Sequence, residues 1–186
     1  GRHLPVARTS GALDAAGRHT WQPIAPAARV EVAFEQPDVA WSGSGYVDSN
    51  FGDRPLEQDC RRWSWARAGR DGGAAVTYDV ERRDGSRDGL ALCFDRRATA
   101  TPFAAPDMTL LPRTGWRLER PLRCDDGCRP SVVRTLEDAP FYARSTVTTR
   151  WDGADVIAMH ESRSLDRLDR RGVQAMLPFR MPRTLR

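Results

Sequence analysis

The chain of 186 residues contains no lysine: its 29 basic side chains are all arginine, set against 25 acids for a net charge of +4. A GC-rich genome is the simplest source of that bias. The arginines are interspersed with acids through most of the chain, as in ERRD at Glu81–Asp84 and DRLDR at Asp166–Arg170. Mixed charge of this kind marks a solvated surface and argues against a nucleic-acid groove. The tail from Arg163 to Arg186 is more one-sided and could rest on anionic lipid headgroups, an ordinary surface being the simpler reading. Long apolar runs are absent too, and nothing approaches the roughly 18 residues that span a bilayer. No secretory leader is visible. Cysteine is scarce: Cys60, Cys93, Cys124 and Cys128 are too few for a disulfide framework in a chain of this size. They read as reduced, structural thiols in a cytoplasmic context. The three histidines are not spaced to complete a metal site with them, so no metal is expected.

What is present is alternation. Arg29–Phe34, Arg62–Ala66, Ala75–Glu81 and Phe141–Trp151 alternate apolar and polar residues, and Leu90–Phe94 and Val156–His160 are further strand candidates. Turn signals punctuate them at Asp71–Gly73, Asp84–Gly85, Asp125–Gly127 and Asp152–Gly153. This pattern predicts an all-β antiparallel domain built from hairpins, whose sheet must close or stack to hide its edges. Residues 1–27, rich in Ala, Gly, Pro and Arg, read as an irregular lead-in, and 28–186 as the β domain. One helical hint runs from Ser164 to Leu177, with Leu165, Leu168 and Met176 at helical spacing and Gly172 interrupting.

The densest chemistry lies between Trp41 and Trp65. Tyr46, Asp48, Asn50 and Asp53 sit among Gly43, Gly45 and Gly52, and the stretch ends in Trp63 and Trp65. On a strand, residues two apart share a face, so Tyr46 stands beside Asp48, and Trp63 beside Trp65. A carboxyl group set among rings keeps its proton more readily, because desolvation disfavours the charged form. From composition alone, Asp48 reads first as a turn residue hydrogen-bonding its own loop. Trp63 and Trp65 read first as core or pocket wall, and Asp53 as a surface turn. His160–Glu161 reads as structural, paired with an arginine.

The pattern Trp41-x-Gly43-x-Gly45-Tyr46-x-Asp48-x-Asn50-x-Gly52-x-x-Pro55-Leu56, followed by Trp63-x-Trp65, resembles the carotenoid 1,2-hydratases of photosynthetic bacteria. So do AVTYD at Ala75–Asp79, PRTGW at Pro112–Trp116, VRTLED at Val133–Asp138 and MHES at Met159–Ser162. AMLPFRMPR at Ala175–Arg183 continues the likeness, which covers the chain from about His19 onward. One departure is Val47, where many relatives outside the strict hydratases carry histidine. The chain lacks the N-terminal half associated with these enzymes, so the resemblance implies a C-terminal portion.

The resemblance further implies a lipocalin-like β-barrel with short helical or irregular segments, its interior able to hold an elongated apolar ligand. It implies a cofactor-free hydro-lyase acting on acyclic carotenoids such as neurosporene or lycopene. Asp48 would be the proton donor. Tyr46 would hydrogen-bond that carboxyl group, orient water or place its ring near the cation, Trp21 would stabilise a cation through its ring, and His19 would orient water or carry the proton away. Trp63, Trp65, Phe51 and Asn50 would bind substrate. A substrate dissolved in membrane implies peripheral association, on the cytoplasmic side. The competing readings are a lipocalin-like carrier without catalysis, and a β-sandwich glycosidase pairing Asp48 with Asp53 or Glu57.

Overall fold

Alternation along each strand decides what the fold can cover, and here it produces one broad sheet with two occupied faces. The computed structural model describes residues 11–13 and 16–179. The strands are β1 (Gly11–Ala12), β2 (His19–Phe34), β3 (Val39–Gly52), β4 (Cys60–Arg70), β5 (Gly73–Arg82) and β6 (Arg87–Phe94). They continue with β7 (Ala100–Pro102), β8 (Met108–Leu111), β9 (Arg120–Arg123), β10 (Ser131–Asp138), β11 (Tyr142–Trp151) and β12 (Ala154–Ser164). Two short helices follow, α1 (Leu165–Leu168) and α2 (Arg171–Met176).

Seven strands form the main sheet in the order β10-β11-β12-β4-β5-β6-β7; β1-β2-β3 and β8-β9 form two smaller sheets. Every pairing is antiparallel, as the alternation predicts. The ladders among the described residues do not close into a barrel: β7 and β10 remain as edges, and β2–β3 stands as its own ribbon over one face. The turns Asp71–Gly72 and Asp152–Gly153 both place two consecutive residues at positive φ, the geometry of two-residue hairpins that match strand twist.

Register sorts the faces. Trp65 lies opposite Tyr78 on β5 and Glu161 on β12, and Glu161 lies opposite Arg144 on β11. These residues share one face with Trp63, Val76, Val80 and Met159. That face packs with Trp21, Tyr46 and Leu13 of the β1–β3 region in one core. The other face presents Ala66, Ala75, Val147 and Ala158, which pack under Leu111 and Leu122 of β8–β9. An ion pair fastens β9 to β5: the Arg123 guanidinium donates Nη2 to Asp79 Oδ1 at 2.5 Å and Nε to both carboxylate oxygens.

Three expectations need correction. The lead-in is not irregular to residue 27, because β2 begins at His19. Pro23 and Pro26 disguise it; register shifts between Pro23 and Ala25 and between Ala25 and Ala28 accommodate residues that cannot donate to a ladder. Cys124 and Cys128 are not free thiols but a disulfide, their Cα atoms 6.0 Å apart across the turn that Gly127 makes at positive φ. Among the described residues, Cys60 and Cys93 form no disulfide. The helical hint breaks at Asp169–Arg170, with Gly172 inside α2; Ser164 caps α1 by accepting from the Arg167 amide. The lead-in before residue 11 and the arginine-rich tail beyond 179 lie outside the described residues.

Candidate active site

Over Tyr46–Asn50, strand β3 lays its even-numbered residues toward the main sheet. Tyr46, Asp48 and Asn50 therefore face Trp63, Trp65 and Tyr78, and together with Arg144 and Glu161 they line a cavity of about 320 Å³. That volume is at the low end of the roughly 300–1,000 Å³ typical of ligand pockets. It suits the end of a long molecule.

Asp48 is gripped from two sides. Trp21, fully buried on β2, donates its indole Nε1–H to Asp48 Oδ2 at 2.8 Å, and the Tyr46 hydroxyl donates to the same oxygen at 2.9 Å. The indole also reaches the Tyr46 oxygen at 3.2 Å. Both donors meet Oδ2, so Oδ1 is the oxygen left to the cavity. Burial first, and then the neighbouring Asp48 carboxylate, push the Tyr46 phenol far above its usual range, so it remains a donor at any physiological pH. Tyr78 is raised in the same way, by burial and then by Asp48, and its hydroxyl lies 3.4 Å from Asn50 Oδ1.

Aromatic rings form the rest of the wall. Tyr46 packs on Trp65 with centroids 4.9 Å apart, Trp21 on Tyr78 at 5.8 Å and Trp63 on Tyr78 at 5.9 Å. Ring faces of this kind stabilise a cation by about 2 kcal/mol or more once water is excluded. The cavity holds two carboxyl groups, Asp48 and Glu161, and the Arg144 guanidinium. Arg67 pins the ribbon over this wall. It donates Nε to the Pro26 carbonyl at 3.0 Å and Nη2 to that of Gly45 at 3.4 Å, with its guanidinium 5.8 Å from the Tyr46 ring centre.

Of the residues expected from sequence, Asp48, Tyr46, Trp21, Asn50, Trp63 and Trp65 are brought together. Phe51 is not: it lies on the outward face of β3 and is 55% exposed, since a residue one step from Asn50 must point the other way. His19 shares Trp21's face of β2 but stands outside the cavity lining, its Nε2 held 2.7 Å from Asp59 Oδ2. Arg18 and Arg54 converge on the same carboxylate, and the Arg54 hydrogen bond leads the causes that hold Asp59 well below the usual carboxylate range. Neither Asp53 nor Glu57 lines the cavity. The second carboxylate there is Glu161, which sequence reading passed over together with His160. Their adjacency was the available signal, because neighbours on a strand face opposite ways: His160 is buried under β9 while Glu161 enters the cavity. Among the described residues no three His, Cys, Asp or Glu side chains converge as metal ligands.

Residues 3–186 match the carotenoid hydratase CrtC family. The chain is 50% identical to the acyclic carotenoid 1,2-hydratase of Thiocapsa roseopersicina over 92% of its own length and 42% of that protein's. With the enzyme of the same name from Rubrivivax gelatinosus it shares 46% identity, again over 92% of this chain and 42% of the relative. It thus spans less than half the length of these two relatives. Among solved structures, the AttH protein of Nitrosomonas europaea superposes with a TM-score of 0.49 at 16% identity, over 78% of this chain and 51% of that one.

Proposed function

The chain belongs to the carotenoid hydratase family, and from that premise we propose that its protein adds water across the terminal C1=C2 double bond of an acyclic carotenoid. The observation that carries this reading is the Asp48 carboxyl group, clamped by Trp21 and Tyr46 on one oxygen and set in a cavity walled by rings.

The chemistry follows from that arrangement. Asp48 delivers a proton from Oδ1 to C2, leaving a tertiary cation at C1. As the proton departs, charge develops on the carboxylate, and the indole N–H and phenol O–H already point at it, so no reorganisation is needed at that moment. The faces of Trp63, Trp65 and Tyr78 stabilise the cation, and water captures it to give a tertiary alcohol. The sequence of steps as drawn calls for no cofactor. His19 acts at one remove, by fixing through Asp59 the strand end that presents Trp21.

The substrate dissolves in membrane, so the protein works peripherally at a membrane surface. No helix among the described residues is long and apolar enough to cross a bilayer. A candidate contact is the far end of the β2–β3 ribbon, where the pairs Val32–Trp41 and Phe34–Val39 form one apolar face, with Phe34 57% and Trp41 54% exposed.

The test is product mass. The full-length protein is produced in cells making lycopene or neurosporene, beside its Asp48→Asn variant. A product heavier by one water that is lost in the soluble, folded variant supports hydration with Asp48 as the acid. A product that persists in the variant removes Asp48 from that role. No product with folded wild-type protein favours a carrier.

A further inference from the structure

Hydration needs two proton movements, and Asp48 is built for only one of them. After it protonates the alkene, its Oδ2 still accepts two hydrogen bonds, from Trp21 and Tyr46. Water attacking C1 becomes a protonated alcohol, which must release a proton for the addition to be permanent. Unless that proton is taken, water departs again, the cation returns a proton to the Asp48 carboxylate, and the alkene is restored.

The same cavity contains a second carboxylate, supplied by the other sheet. Glu161 on β12 lies opposite Trp65 on one side and Arg144 on the other. Its side chain is 17% exposed. Arg144 donates Nε to Glu161 Oε1 at 2.8 Å, and its Nη2 lies 2.8 Å from the same oxygen. Both contacts fall on Oε1, which holds the carboxylate in place, and the Tyr142 phenol hydrogen-bonds the same group. Nearby Tyr142 has its phenol pushed above the usual range by burial and then by Glu161, and its ring lies 5.9 Å from the Arg144 guanidinium, completing a polar rim around that carboxylate.

We propose that Glu161, held by Arg144, is the base that takes the proton from the attacking water, a role that rests on the hydratase reading. The bookkeeping of atoms closes: the C1=C2 π pair forms C2–H as Asp48 O–H breaks, a water lone pair forms C1–O, and one water O–H breaks as an O–H forms on the Glu161 carboxylate. The protonated Glu161 then returns its proton to Asp48 through solvent before the next turnover. Acid and base come from different sheets, Asp48 from the ribbon and Glu161 from the main sheet.

The test separates protonation from capture. The full-length protein, with Glu161→Gln, Glu161→Asp and Asp48→Asn variants, is incubated in D2O with vesicles containing lycopene, and both alcohol and recovered hydrocarbon are examined by mass spectrometry. Wild-type protein gives alcohol carrying deuterium on carbon. Glu161→Gln is expected to lose hydration by about a hundredfold, the scale of a general base, while still placing deuterium in hydrocarbon that gains no oxygen. Glu161→Asp recovers part of the hydration. Asp48→Asn loses both. Hydration at the wild-type rate in Glu161→Gln overturns the proposal, as does loss of both exchange and hydration in a folded Glu161→Gln protein. Wild-type protein that neither hydrates nor exchanges overturns the hydratase reading itself.

Discussion

Trp21 reaches Asp48 diagonally. Its direct partner across the β2–β3 ladder is Asn50, while Asp48 faces Pro23, yet the indole nitrogen closes to 2.8 Å of the carboxylate. Diagonal neighbours on antiparallel strands lie about 7–8 Å apart at Cα, a gap that only a long side chain bridges. A proline opposite the acid donates nothing to the ladder there, so the side chains supply the polar contacts.

That relationship predicts the effect of removing each donor. Trp21→Phe and Tyr46→Phe keep rings in place and delete one hydrogen bond apiece to Oδ2. A bond to a charged group is worth about 1.5–3 kcal/mol, so each variant should hydrate roughly 10- to 100-fold more slowly. Because both donors serve one oxygen, the double variant should fall short of the product of the two losses. Initial rates with variants matched for folding by circular dichroism decide it, and wild-type rates in both single variants would remove the clamp from the mechanism.

His160 predicts an acid-sensitive fold. It is fully buried; its Nε2–H donates to the Pro121 carbonyl at 2.9 Å, and Nδ1 has no hydrogen-bond partner among the described residues. Burial above all lowers its pKa to about 4. Above pH 6.5 the imidazole is neutral in both folded and unfolded chains and pH has no leverage on it. Below that, the unfolded chain binds the extra proton, so stability falls progressively until about pH 4, by roughly 3 kcal/mol in total. Melting curves from pH 7 to 4 should show this loss, and His160→Gln should show a smaller one over the same window.

The Cys124–Cys128 disulfide predicts a separation of stability from activity. It closes a five-residue loop, worth roughly 2 kcal/mol by chain entropy. The turn binds the β11–β12 hairpin through Asp125, which accepts from the Asp152 and Gly153 amides. Arg144 and Glu161 lie seven or eight residues away along those strands, about 25 Å. Mild reduction should therefore lower the melting temperature and leave the hydration rate of folded protein within a factor of two or so. A parallel loss of both would contradict this layout.

The ribbon predicts a lipid contact. Trp41→Ser with Phe34→Ser should reduce co-sedimentation with zwitterionic vesicles while leaving the rate on detergent-dispersed substrate unchanged. Glu35 and Asp38 in the connecting turn should make binding to anionic vesicles weaker rather than stronger. Unaltered sedimentation would move the contact elsewhere.

Much of the site could be read in one stretch, because Tyr46, Asp48 and Asn50 on β3, and Trp63 and Trp65 on β4, are placed by alternation alone. The same rule, applied one residue further, would have turned Phe51 outward and separated Glu161 from His160. What alternation does not carry is strand order. Nothing local puts β12 beside β4, so a glutamate about a hundred residues from Asp48 enters the cavity only through long-range pairing. The start of β2 was hidden by its prolines, and the disulfide by a separation of four residues that reads as a plain turn.

Asp48 and Glu161 hang from different layers, so no backbone ladder measures the gap between them. That gap is an interlayer clearance, set by the thickness of what lies between, above all the Tyr46 ring on the Trp65 indole and the Arg67 tie to Pro26 and Gly45. A thinner shim, such as leucine for Trp65, would bring the layers closer while leaving the hydrogen bonds of both carboxylates in place. The spacing of the two proton-handling groups would then change with the bulk of a neighbour, making enzyme rate a gauge of how far apart two sheets are held.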